Sequence, residues 1–205
     1  MTSITIIGTG DMALGIGIRA VAGGNEVQIL SRNISKATAL AAELRPTVAG
    51  TLGDLPTGDL VILAVPYDAA TSIVADYADA LDGKVIVDIT NPIDNATMTG
   101  LAVPQGSSGA EEIAKAASAG ARVVKAFNTT FSATLAPGDR DLDVFLAGDD
   151  PEAKATLASF IQSMGMRPLD VGPLSMARWL EGLGLILITL AIRGENFDSA
   201  VKIVG

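Results

Sequence analysis

The chain has 205 residues, is 49% hydrophobic and 18% charged, and carries a formal net charge of −9. A length of this order holds one domain, or a large and a small one, with ample core. It has no cysteine and no histidine, which excludes disulfides, thiol catalysis and imidazole acid–base chemistry and argues against a zinc site; the acidic balance argues against a nucleic-acid partner.

A mean hydropathy of +0.43 is apolar for a globular chain, so part of the apolar surface is expected to lie between subunits. The longest apolar run, 183–192, is too short to span a bilayer and is flanked by Glu181 and Arg193. No membrane partner is expected. The first residues read as a strand, not as a signal peptide, so the expected location is cytoplasmic.

Ile4-Thr5-Ile6-Ile7 predicts a first strand, and Gly8-Thr9-Gly10-Asp11-Met12-Ala13 follows it directly. This is a G-x-G-x-x-A turn. Gly8 permits the tight turn, and Gly10 lets backbone approach a pyrophosphate. The helix predicted over Asp11–Ala22 then offers its N-terminal NH groups. Glycine is common here, with 22 in the chain, so the turn takes its meaning from the strand before it and the helix after it. Gly23-Gly24 ends that helix, and Glu26–Leu30 reads as a second strand. At its end stand Ser31 and Arg32, with Lys36 just beyond. A carboxylate there would accept from the ribose 2′-hydroxyl of NAD. A hydroxyl and two cations suit a 2′-phosphate instead, which selects NADP(H). The plainer reading of these three residues is a solvated helix start.

A helix over Asn33–Leu44 and a short strand around Thr47-Val48-Ala49 come next. After the polar turn 53–59, Leu60–Val65 is continuously apolar, as a strand buried on both faces should be. Pro66 ends it, Tyr67–Ala80 reads as a helix, and Val85–Ile89 is a strand ending at Thr90-Asn91-Pro92. Residues 93–109 form a loop longer than ordinary connections, a candidate lid or binding loop, with Pro104–Gly109 placed to close over the site. Beyond it the pattern predicts a helix over Glu111–Ala119 and strands over Arg122–Phe127 and Asp143–Ala147. A helix over Pro151–Met164, a strand over Arg167–Val171 and a final helix from about Ser175 to Ile192 complete the chain. Strand and helix alternate almost throughout. The expected fold is α/β, a Rossmann-type doubly wound, mostly parallel sheet with a small C-terminal extension. A soft boundary at 128–140 divides a dinucleotide-binding part, 1–128, from a smaller part, 129–205, packed on it as one body.

In such a sheet, ligands bind at the carboxyl ends of the strands. Besides the glycine turn and Ser31-Arg32, these ends hold Ala64, Val65, Pro66 and Tyr67, then Asn91-Pro92, then Ala126, Phe127 and Asn128. Asparagine there can bond a carboxamide or a ribose. Asn91-Pro92 also reads as a plain strand-ending turn, Asn128 as a helix N-cap, and Tyr67 as a packing residue. Hydride transfer requires two rings held face to face with water excluded, so positioning carries most of the catalysis. A chain without His and Cys suits exchange between two redox cofactors better than carbonyl reduction. No catalytic side chain is therefore expected. In the last helix Arg178, Trp179 and Glu181 interrupt an apolar pattern. Core or subunit packing is the plain reading; stacking or phosphate contact with a second cofactor by Trp179 or Arg178 is the sharper one.

The segments GTGDMALGIG, LSR, VILAVPYDAA, GKVIVDITNP, GARVVKAFNTT, FLAGDDPEAK and GPLSMARWLEGLGLILI resemble, in order and spacing, the coenzyme F420-dependent NADP oxidoreductases. The resemblance covers most of the chain. It implies a homodimer that moves a hydride between NADP(H) and the deazaflavin F420. NADP contacts would fall on the glycine turn, including Thr9, and on Ser31, Arg32 and Lys36. The nicotinamide would lie near Val65-Pro66 and Ala126–Asn128, and F420 in a cleft formed with the C-terminal part. Ala13 in place of a third glycine and the AGGNE segment depart from the family's pattern. The sequence is also similar to the cytosolic oxidoreductase domain of the STEAP metalloreductases, so the alternative is an NADPH-dependent flavin or ferric reductase. A non-catalytic NADPH sensor, or an imine or ketone reductase related to the pyrroline-carboxylate reductases, are further readings.

Overall fold

The computed structural model describes residues 1–45, 47–138, 141–194 and 196–204. Its strands are β1 (Ser3–Ile7), β2 (Glu26–Ser31), β3 (Thr47–Thr51), β4 (Leu60–Leu63), β5 (Val85–Asp88), β6 (Arg122–Lys125), β7 (Asp143–Gly148) and β8 (Arg167–Asp170). They form one eight-stranded sheet in the order β3-β2-β1-β4-β5-β6-β7-β8. Every neighbouring pair is parallel except β6 and β7. The helices are α1 (Asp11–Ala22), α2 (Ile34–Glu43), α3 (Tyr67–Tyr77), α4 (Gly109–Ala116), α5 (Ser132–Leu135), α6 (Pro151–Ser163) and α7 (Ala177–Ile192). This is the expected Rossmann-type α/β fold.

Local chemistry sets the helix starts. Asn33 accepts from Lys36 N to cap α2, Ser108 from Glu111 N to cap α4, and Asp150 from Ala153 N to cap α6, where Pro151 fits the first turn. The central strands are buried on both faces, so their side chains alternate between two apolar cores. Ile4, Ile6, Ile62 and Val87 pack on one side with Ile16 of α1 and Phe160 of α6. Ile7, Val61, Leu63 and Ile86 pack on the other with Val74 of α3 and Ile113 of α4. The first of these cores joins residues from both ends of the chain, and β7 and β8 extend the sheet of β1–β6. Residues 139 and 140, within the expected boundary region, lie outside the described residues.

Three details refine the sequence reading. First, β7 runs antiparallel to β6; a hydrophobic pattern specifies a strand but not its direction. Second, β6 stops at Lys125 rather than Phe127, because Phe127 has φ of 60°, outside the extended region. Third, loop 93–109 is pinned. Ile93 bridges Leu101, Asp94 N donates to Gly100 O, and Ser107 and Ser108 are buried. The final helix is also longer than the apolar run at its end. A 3-10 turn, Leu174–Met176, leads into α7, and the 19-residue stretch Leu174–Ile192 is long and apolar enough, by length and composition, to cross a membrane. Here Ala177, Leu180, Glu181 and Gly184 are buried against the rest of the chain.

Candidate active site

The carboxyl end of β1 turns sharply at Gly8, whose φ is 128°. A Cβ there would lie 2.0 Å from Ala64 O, so only glycine lets the turn pass under the end of β4. Gly8 N donates to Leu30 O at 2.9 Å, tying the turn to β2 as well. Gly10 is the N-cap of α1 and supplies no capping side chain. A Cβ on Gly10 would meet nothing within 4 Å. That empty volume beside the first NH groups of a helix fits a pyrophosphate, both sterically and by the helix dipole. Ala13, in the third glycine's place, is fully buried on the inner face of α1.

A cavity of about 430 Å³ opens here. Gly10, Asp11 and Met12 form one wall, Ala64, Val65, Pro66 and Tyr67 the next, and Ile89, Thr90 and Asn91 the third, with Ser132 at the edge. A second cavity of about 410 Å³ adjoins it across Pro66, Tyr67 and Asn91, and runs under Pro92, Ile93 and Asp94. Gly8, Thr9, Ser31, Arg32, Lys36, Ala126 and Asn128 stand outside both walls. A larger hollow of about 770 Å³ lies at the amino ends of β1, β2 and β3, among Met1, Glu26, Gln28 and Val48, away from the carboxyl ends where the site residues gather.

At the end of β2, Ser31 Oγ accepts from Asn33 N at 3.2 Å. Arg32 and Lys36 are exposed, and among the described residues neither side chain has a hydrogen-bond or ion-pair partner. One carboxylate stands on the neighbouring strand end: Asp54 accepts from Thr51 N at 2.7 Å and from Thr51 Oγ1 at 3.1 Å. Its charge is engaged by β3's own turn.

The β5–β6 side contains buried charges outside the residues expected to bind the cofactor. Asp88 and Lys125 are paired in register at the ends of these strands. Lys125 Nζ lies 2.8 Å from Asp88 Oδ2 and 2.9 Å from Glu181 Oε1 of α7, and all three side chains are fully buried. Lys125 also donates to Thr90 O. Two carboxylates thus share one ammonium. The N-terminus of α4 offsets the remaining negative charge: Gly109 N donates to Glu181 Oε2 at 3.0 Å and Ala110 N to Oε1 at 3.2 Å. Burial pushes the Glu181 carboxyl above the usual glutamate range, while the Lys125 ammonium pulls it down. The same contacts clamp the end of loop 93–109, so Pro104–Gly109 is anchored at its α4 end.

Asn91 and Asn128 meet across β5 and β6. Asn128 Nδ2 donates to Asn91 Oδ1 at 2.9 Å and to Leu180 O of α7 at 2.8 Å, and Asn91 Nδ2 donates to Asn128 O at 2.8 Å. A Cβ on Gly184 would lie 2.3 Å from Asn91 Oδ1, so α7 approaches this pair through a bare backbone. Asn128 is not a helix cap; α5 starts at Ser132, after Phe131. Tyr67 stands where the two cavities join, and its phenol is pushed up by burial and then by Glu112 nearby. On α7, Arg178 stacks over the exposed Trp179 ring, 5.6 Å from its centroid.

The family model for coenzyme F420-dependent NADP oxidoreductases matches residues 3–92. The F420-dependent NADP reductase of Methanothermobacter marburgensis is 30% identical over 213 residues, covering 96% of this chain and 95% of that protein. The chain belongs to this family. A solved F420-dependent NADP-reductase homologue from Arthrobacter sp. FB24 superposes with a TM-score of 0.87 at 25% identity, covering 100% of both chains. Metalloreductase STEAP3 of Rattus norvegicus is 33% identical over 187 residues, but the chain spans only 37% of that protein. Asp88, Lys125 and Glu181 share one signal in the sequence. Each is a charge flanked by uncharged, mostly apolar residues, and two of them end adjacent strands.

Proposed function

We propose that this protein is an NADP-dependent oxidoreductase that exchanges a hydride between NADP(H) and the deazaflavin F420. The observation that carries this reading is the cavity at the ends of β1, β4 and β5, entered by a bare-backbone turn and flanked at β2 by two uncommitted cations. In this reading Gly8, Thr9, Gly10, Asp11 and Met12 receive the pyrophosphate, and Ser31, Arg32 and Lys36 receive the 2′-phosphate. Ala64, Val65, Pro66, Asn91 and Pro92 border the nicotinamide half, with Ala126 and Asn128 behind that wall. Asn91 and Asn128 act as a mutually bonded pair that shapes the wall. Bound NADPH would supply a hydride from its nicotinamide ring to the deazaflavin, and bulk water would supply the proton that completes F420H2 at the ring nitrogen. The chain's own part is to hold the two rings in contact and exclude water, with no acid–base side chain.

Residues 1–128 serve as the NADP-binding part and 129–205 as the part that completes the second substrate's cleft. Along α7, Trp179, Ile186 and Leu190 are exposed at helical spacing, an apolar stripe suited to a second copy of the chain in a homodimer. The acidic surface and the burial of one α7 face within the chain support a cytoplasmic enzyme with neither a nucleic-acid nor a membrane partner. The decisive assay follows anaerobic NADPH oxidation with F420, FMN or FAD as acceptor. Rapid turnover with F420 is expected. Turnover with a flavin alone would move the protein to the flavin- or ferric-reductase reading that the STEAP3 similarity raises, and silence with all three would favour a sensor.

A further inference from the structure

Five buried side-chain polar atoms are without a hydrogen-bond partner among the described residues: Thr71 Oγ1, Thr90 Oγ1, Arg122 Nε, Asn128 Oδ1 and Thr130 Oγ1. Of these residues, only Thr90 forms part of the cavity wall. Native structures seldom leave such a group unpaired, because desolvating it without a partner is unfavourable.

Thr90 is also held more firmly than a loop residue needs to be. Its NH donates to Asp88 Oδ1 at 2.8 Å, and its carbonyl accepts from Lys125 Nζ. Both backbone polar groups are therefore fixed by the buried ion cluster, while the hydroxyl, itself buried, has no partner among the described residues. The residue is 5% exposed. The sheet order places β4 and then β5 beyond β1, on the side away from β2. With the 2′-phosphate at β2 and the pyrophosphate at β1, the nicotinamide half reaches β5, two strand spacings or about 10 Å from β1.

We infer that Thr90 Oγ1 is a binding group for the nicotinamide nucleoside of NADP(H), bonding a polar group of that half, the carboxamide or a ribose hydroxyl. Asp88, Lys125 and Glu181 are its positioning residues. This inference rests on the NADP reading above and adds a contact to it.

The test uses the whole protein and two probes, NADPH and 2′,5′-ADP, which keeps the 2′-phosphate but has no nicotinamide. Thr90→Val preserves shape and removes the hydroxyl. It should bind NADPH about tenfold more weakly, the effect of one lost hydrogen bond in a closed site, and bind 2′,5′-ADP unchanged. Thr90→Ser keeps the hydroxyl and should stay within about twofold of wild type for both probes. Without ligand, Thr90→Val should melt no lower than wild type, since it removes an unpaired buried group. Wild-type NADPH affinity in Thr90→Val, or an equal loss for NADPH and 2′,5′-ADP, would overturn the inference. Wild-type protein that binds neither probe would overturn the NADP reading itself and the inference with it.

Discussion

On the β1–β2 side of the site the chain works by leaving side chains out, whereas on the β5–β6 side it works by burying charges. Gly8 passes under β4 with no room for a Cβ, Gly10 opens onto free space, and Arg32 and Lys36 project into solvent. Across the cavity, Lys125 joins Asp88, Thr90 and Glu181 in a fully buried cluster that draws α7 and the start of α4 to the sheet. The first side is shaped to receive an anion and needs little beyond backbone and two exposed cations. The second must hold a flat wall with fixed hydrogen-bonding groups, and it does so through long-range ion pairs. Binding energy and rigidity are therefore drawn from different ends of the sequence.

The comparison breaks most visibly at Lys125. Lys125→Met removes the one cation between two buried carboxylates and should cost about 3–5 kcal/mol in urea unfolding. A loss below about 1 kcal/mol would mean that the cluster does not hold the wall. The opposite side should respond in binding and not in folding. Gly10→Leu fills the open volume beside α1 and should weaken NADPH on the order of a hundredfold or more, with an unfolding midpoint near wild type. Retained affinity in that variant would remove the pyrophosphate from the turn. Arg32→Ala should weaken NADPH by about tenfold and leave NADH nearly unchanged, since a charge-assisted contact to the 2′-phosphate is lost. Equal losses for both cofactors would contradict the 2′-phosphate role.

The smallest expected effect is a pH dependence of stability. Burial raises the Glu181 carboxyl above its usual range, so the folded protein holds that proton to a higher pH than the unfolded chain does. Stability should then fall as pH rises from the ordinary glutamate range through the raised value. Glu181→Gln should flatten this decline, and an unchanged slope would show that the group does not titrate there. Asp143 has the opposite sign. Its hydrogen bonds from Arg167 hold it below the usual aspartate range, so its contribution is lost as pH falls through that lower value.

The first side was readable in the sequence because its signals are local. A strand, two glycines and a helix start are contiguous, and Ser31, Arg32 and Lys36 follow the second strand at a fixed place. The second side was not, since its logic lies in contacts between residues far apart. Asp88 and Lys125 look like ordinary strand ends until the β5–β6 register sets them opposite one another. Glu181 was noticed as an interruption of an apolar helix, yet its partners on β6 and α4 follow only from how α7 docks. Asn91 and Asn128 were found, but their mutual bonding was not. The left-handed Phe127 and the reversed β7 were hidden for a related reason: hydrophobic pattern reports burial, not chain direction or a single residue's φ.

Isotope transfer tests the central claim most directly. NADPH deuterated at the transferred C4 position is mixed anaerobically with protein and F420, and the reduced deazaflavin is analysed by mass spectrometry. Direct transfer between two rings held in contact predicts that the deuterium appears on F420H2 without dilution by solvent hydrogen. Label lost to water, or F420 left unreduced while NADPH is oxidised, would contradict the account.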